Sequence, residues 1–210
     1  MSEYRFSGRE RITIELEGSF EPTLPVPAGL ALDLVDGRGR VSLFAFHVED
    51  LTIVGMPLIR ASYAELLWRV AVRRGDDHHR ARVEARCDRA WWVVACDIGA
   101  AGPAWAARRW VRYPVRKRHV AVDDEGVRTD GLAFEVGPDG DRAIVEHRAV
   151  LTNDLFRVPW GDDASGAHRA EVRAMTDTVS RITVGGEVGW ASTAIIRRGR
   201  QHRCGVATRL

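Results

Sequence analysis

The chain has 210 residues, with 31 basic side chains against 29 acidic ones, a formal charge of +2 and 45% hydrophobic residues. This composition excludes an intrinsically disordered chain, and the near-neutral charge argues against a dedicated nucleic-acid-binding or membrane-surface protein. The basic residues are thirty arginines and one lysine, Lys117, so any chemistry that needs a lysine has a single position to use.

Read in chain order, the dominant hydrophobic period is two. Residues 9–16 alternate Ile12, Ile14 and Leu16 with Arg9, Arg11 and Thr13. Residues 41–48 and 65–73 follow, the latter setting Leu66, Trp68, Val70 and Val72 against Glu65, Arg69 and Arg73. Segments 80–87, 91–97, 117–122, 142–150 and 178–184 continue the alternation and predict antiparallel strands. Gly/Asp clusters at 36–40, 74–79, 123–126 and 137–141 punctuate them as turns. One segment differs: 100–112 is alanine-rich, opens near Pro103 and gathers Arg108, Arg109 and Arg112 at its end, which predicts a helix stopped by Pro114. The expectation is an α+β, mainly antiparallel β fold in one domain over 1–210, a barrel or folded sheet with one central helix.

The opening 17 residues carry charges throughout and no apolar core, and no apolar run is long enough to span a bilayer, so a cytoplasmic protein without membrane contact is expected. Cys87, Cys96 and Cys204 are odd in number and lack metal-ligand spacing, which suits free thiols in a reducing compartment. There is no P-loop, zinc-ligand spacing or serine elbow. The GGEVG at 185–189 reads as a turn rather than a dinucleotide loop. Asp76, Asp77, His78 and His79 read as a solvated loop rather than a metal site, so neither metal nor cofactor is expected. Adjacent Trp91 and Trp92 predict one ring facing in and one out, as core packing or a ligand wall. Arg197, Arg198, Arg200, His202 and Arg203 read as a solvated basic tail rather than a nucleic-acid contact.

Three stretches carry a resemblance: Tyr4-Arg5-Phe6-Ser7-Gly8-Arg9-Glu10 before the first strand, Tyr63-Ala64-Glu65 before another, and Arg112-Tyr113-Pro114-Val115-Arg116-Lys117 after the helix. With the proline-rich turn and strand at 24–46, they resemble the acetoacetate decarboxylase-like superfamily, in one of its uncharacterised bacterial branches, over roughly Tyr4 to Val122. The resemblance implies an antiparallel β-barrel or cone around a small-molecule cavity. It implies that Arg9 binds a substrate carboxylate, with Tyr63 and Arg116 beside it, and that Glu65 handles protons or orients groups. In decarboxylating members a lysine forms a Schiff base with a β-keto acid, its pKa lowered by burial and a second cation; acetoacetate decarboxylase is the standard example of this effect.

Here the chain departs from the pattern. Val115 stands at the position of the nucleophilic lysine and Arg116 at that of the second cation. Lys117 lies two residues further on, a position that shares a strand face with 115 and 119. The leading expectation is therefore a protein that binds a small carboxylate or keto acid in its cavity, lined by Arg9, Glu65 and Lys117, without decarboxylating it. Two alternatives stay open: a Schiff-base lyase acting through a displaced Lys117, and a ligand-free oligomerisation or regulatory domain whose barrel is filled by side chains.

Overall fold

The computed structural model describes residues 4–53, 56–75, 89–145, 148–152, 156–160 and 166–209. The sequence-predicted strand at 80–87, Cys87 and the Asp76–His79 cluster lie outside them. In chain order the elements are β1 (Tyr4–Phe20), β2 (Leu30–Leu32), β3 (Leu34–Val35), β4 (Arg38–Ile53), β5 (Met56–Arg74) and β6 (Arg89–Ile98). Then come α1 (Ala101–Ala106), continued as a π-helical turn over Ala107–Val111, and β7 (Val115–Arg116), β8 (Val120–Asp123), β9 (Gly126–Thr129) and β10 (Leu132–Val136). The chain closes with β11 (Ala149–Leu151), β12 (Phe156–Val158), β13 (His168–Asp177), α2 (Ser180–Val184), β14 (Val188–Gly205) and β15 (Thr208–Arg209).

One sheet runs in the order β15-β12-β11-β6-β5-β4-β1-β14-β13-β10-β9-β8, with β2 added to β5, β3 to β4 and β7 to β6. Its pairings are antiparallel except those of β6 with β7 and β11. The terminal strands β15 and β8 do not pair, so the sheet is not closed into the expected barrel. Instead it folds back on itself, with β8 packed across β1, β4 and β5. The β3–β4 hairpin turns at Asp36-Gly37, both with positive φ, the geometry that matches the twist of the flanking strands. At Gly126, in the tight β8–β9–β10 meander, an added Cβ would come within 2.0 Å of the Phe134 carbonyl oxygen.

The long strands bury both faces. On one, Ile12, Ile14, Leu43, Trp68, Val70 and Ile196 pack under Val127, Leu132 and Phe134 of the folded-back meander. On the other, Phe44, Phe46, Leu67 and Val93 pack under Ala104, Ala107 and Val111 of the helix. This double cover corrects three expectations. Glu65 and Arg69, the polar half of the alternation at 65–73, are buried. Trp91 and Trp92 belong to opposite faces yet are both buried. The basic cluster is no tail: it lies in β14 beside β1, with Arg197, Arg200 and His202 buried.

The helix ends as the sequence suggests, through Arg112 in the left-handed region just before Pro114. The expected strand at 178–184 is instead α2. The Asp177 carboxylate accepts the backbone N–H groups of Val179 (3.1 Å) and Ser180 (2.9 Å) and the Ser180 hydroxyl, capping a helical turn that outweighs the alternating pattern. The segment 117–122 is strand only from Val120, and the described residues of 142–150 only from Ala149. Among the described residues no helix is long and apolar enough to cross a membrane.

A charged stitch holds the four central strands on the helix-covered face. Glu15 of β1 accepts from Arg69 of β5, from the Ser42 hydroxyl of β4 (3.0 Å) and from Arg197 of β14 (2.8 Å). Arg69 also donates to Ser42 (2.9 Å) and lies 4.2 Å from the Phe44 ring centroid. Removing one member of a buried ion network costs about 3–5 kcal/mol, because the partners stay buried without it. Glu15→Ala is therefore expected to lower unfolding stability by that amount in urea titration, while Glu17→Ala, at a half-exposed pair with Arg40, costs about 1 kcal/mol or less.

Candidate active site

Between the helix and the sheet lies a pocket of about 30 Å³, room for two or three water-sized groups before any side chain moves. Phe6, Phe46 and Trp160 form apolar walls, and Ala106, Ala107 and Val111 of the helix form the roof. Into this setting the fold brings Tyr63 and Glu65 from β5, Tyr113 from the turn after the helix, and His202 and Cys204 from β14.

Each polar group has a local reason for its position. Tyr113 follows the left-handed Arg112, and its N–H reaches back to the Ala107 carbonyl (3.2 Å). The Cys96 N–H donates to the Pro114 carbonyl (3.1 Å), tying this turn to β6. Tyr113 is only 5% exposed, and its hydroxyl has no hydrogen-bond partner among the described residues. Leaving a buried hydroxyl unpaired costs about 1–3 kcal/mol, so the site retains a donor that a ligand or water can satisfy. Trp160 is held by a bridge to Cys204, and Gly205 N–H donates to the Pro159 carbonyl (2.8 Å).

Glu65 is 3% exposed and accepts from the Cys96 thiol (3.2 Å) and from Tyr63. Burial raises its carboxyl to a pKa of about 7, because the two weak donors offset only part of the desolvation. Burial and the nearby Glu65 charge also push the Tyr63, Cys96, Tyr113 and Cys204 groups upward, so all four are neutral at physiological pH.

Across the pocket, the His202 Nδ1 lies 3.0 Å from Glu10 Oε1. The second Glu10 oxygen accepts from the Thr13 hydroxyl (2.7 Å) and lies 4.0 Å from Arg200. Burial alone would raise the Glu10 carboxyl, but these hydrogen bonds and the His202 and Arg200 charges outweigh it and hold the group below its ordinary value. The imidazole sits against Phe46 and Trp160, with ring centroids at 5.4 and 5.1 Å.

Of the sequence-predicted site residues, the structure brings Tyr63 and Glu65 together in the pocket wall. It does not bring the cations there. Arg9 is exposed on β1 opposite Gln201 and Glu49. Arg116 is engaged elsewhere: Nε and Nη2 bind Asp97 at 2.6 and 2.7 Å, and Nη1 binds the Thr183 hydroxyl at 2.9 Å. Lys117 is exposed and is not among the pocket residues. His202, which the sequence reading assigned to a solvated cluster, is a pocket residue; the signal available was the alternation of Arg200, His202 and Cys204, which is that of a strand. No group of three or more His, Cys, Asp or Glu side chains suited to a metal occurs among the described residues.

No curated protein sequence matches the chain. Among solved structures, acetoacetate decarboxylase from Legionella pneumophila is similar with a TM-score of 0.66 and 11% identity, covering 99% of this chain and 90% of that one. An acetoacetate decarboxylase-like enzyme from Sphingomonas wittichii RW1 has a TM-score of 0.62 and 14% identity, covering 100% and 94%. The enduracididine biosynthesis enzyme MppR complexed with pyruvate has a TM-score of 0.59 and 10% identity, covering 98% and 89%. At these identities the likeness is one of fold, and it bears out the resemblance read from the three short motifs. A family profile described as an uncharacterized conserved protein, DUF2071, matches residues 21–177, and the chain belongs to that family, with the fold of the acetoacetate decarboxylase-like superfamily.

Proposed function

We propose that the protein binds a small carboxylate or keto acid in this pocket and does not decarboxylate it through an imine. The observation that carries the reading is the buried, unpartnered Tyr113 hydroxyl in a pocket that also holds a carboxyl group and an imidazole. The size of the pocket favours a ligand of a few heavy atoms. Its donors are the Tyr113 hydroxyl and the protonated form of Glu65. The pyruvate complex of MppR, on the same fold, supports the ligand class. The exposure of Lys117, the chain's one lysine, argues against a Schiff base. One working domain over 1–210 is supported by the continuous path of strands joining β1 to β15, and a reducing compartment by the free thiols of Cys96 and Cys204.

Glu65 makes the reading sensitive to pH. Below pH 7 it is neutral and donates to an anionic ligand; above pH 7 it becomes an anion beside another anion. Its titratable neighbours are Tyr63 on its own strand, Cys96, Tyr113, Cys204 and His202. Calorimetric titration with pyruvate is expected to show affinity falling about tenfold per pH unit above 7. The Glu65→Gln variant is expected to bind with little change from pH 6 to 8.5. Tyr113→Phe should weaken binding by roughly fivefold to thirtyfold, the worth of one buried hydrogen bond. No binding of pyruvate or 2-oxobutyrate at any of these pH values would overturn the proposal. Borohydride reduction in the presence of pyruvate is expected to leave Lys117 unmodified, and an adduct there by mass spectrometry would reinstate the lyase.

The same carboxyl affects stability. Its folded pKa of about 7 exceeds the ordinary 4.5, so the folded state binds more protons between those values and stability falls as pH rises through them. Relative to Glu65→Gln, wild type is expected to lose on the order of 3 kcal/mol between pH 4.5 and 7 in denaturant titrations, and no more above that window.

A further inference from the structure

We infer that the Glu10–His202 pair is a general base directed into the pocket, and that the protein removes and returns a proton at the carbon next to the ligand's carbonyl without forming an imine. The inference rests on the proposed binding of a keto acid in the pocket and adds a reaction to it.

The geometry is that of an oriented base. The hydrogen bond to Glu10 occupies Nδ1 and leaves Nε2 as the ring nitrogen for the pocket that His202 lines. Glu10 is itself fixed through both oxygens, by His202 on one and by Thr13 and Arg200 on the other. Phe46 packs on the imidazole at an interplanar angle of 32°, and Trp160 meets it edge-on at 86°, which restricts the ring's rotation. A carboxylate held this way selects one imidazole tautomer and stabilises the imidazolium once formed. A histidine serving stability alone has no need to line a pocket that the Glu65 carboxyl also lines. Here the two carboxyls sit in contrasting surroundings, Glu10 among donors and cations and Glu65 among neutral groups, the arrangement that separates a base assembly from an acid.

In the step, the Nε2 lone pair of His202 takes the α-proton. The C–H bonding pair becomes the new C=C bond, the carbonyl π pair moves to oxygen, and that oxygen takes a proton from the Glu65 carboxyl. Reversal restores the ketone and both side chains. The net reaction is null in water, and in D2O it replaces the α-protons by deuterium through exchange on the imidazolium. His202 and Glu65 are the catalytic residues, and Glu10 is a positioning residue.

The test is proton NMR of pyruvate and of 2-oxobutyrate incubated with the full chain in D2O buffer, alongside calorimetric binding of the same two acids. Loss of the α-proton signal well above the buffer rate is expected. His202→Gln should lower that rate a hundredfold or more, within the usual range for general acid–base catalysis. Glu65→Gln, which keeps the shape of the site, should lower the rate at least tenfold and serves if the His202 variant fails to fold. Glu10→Gln should lower the rate and displace its pH profile, and Glu10→Asp should restore part of both. Lys117→Arg should exchange at the wild-type rate. Binding without exchange overturns the proton transfer and leaves the binding proposal standing. Exchange that survives in His202→Gln, or that is lost in Lys117→Arg, also overturns it. Neither binding nor exchange with either acid overturns both.

Discussion

The structure depends on one buried carboxylate. Glu15 sits in the second of two cores, where it joins β1 to β4, β5 and β14 through Ser42, Arg69 and Arg197. A single acidic group in that position is tolerable only because several donors surround it and aromatic rings take the faces of the guanidiniums. The consequence is a sheet with no solvent face in its central strands. One side packs under its own folded-back meander and the other under the helix, and the stitch fixes how the four strands are staggered beneath that helix.

The pocket follows from this second layer. Where the helix ends, the π-helical turn and the left-handed Arg112 direct Tyr113 inward instead of letting the chain run on, and the space between Tyr113 and the sheet is the site. Two glutamates reach that region from β1 and β5 with opposite tendencies. Glu10 is surrounded by His202, Thr13 and Arg200 and stays ionised, whereas Glu65 meets only a thiol and a phenol and holds its proton up to about pH 7. The pocket of this chain is lined by no lysine, and the imidazole of His202 lines it.

Much of the architecture was legible in the sequence. The period-two alternation located β1, β4, β5 and β6, the alanine-rich segment located the helix, and the Gly/Asp cluster at 36–40 marked the turn between β3 and β4. Tyr63-Ala64-Glu65 stood out by its likeness to a family motif, and its two outer side chains line the pocket. The reading failed where alternation is ambiguous. At 178–184 a local Asp177 cap made a helix of a strand-like pattern. At β5 the charged half of the alternation suggested a solvated face, since nothing in a single strand reports that a helix covers it.

What the sequence determined by itself is what short-range physics controls: strand period, turn positions, the helix and its stop, and the presence of a single lysine. What only the tertiary structure decided is which charges are buried and which of them meet. Glu10 and His202 are separated by 192 residues and become neighbours because β14 pairs with β1. Arg9 and Lys117, close to recognisable motifs, face solvent. The reason is physical: a side chain's role depends on the dielectric and the partners around it, and those are set by strands and a helix that come from distant parts of the chain.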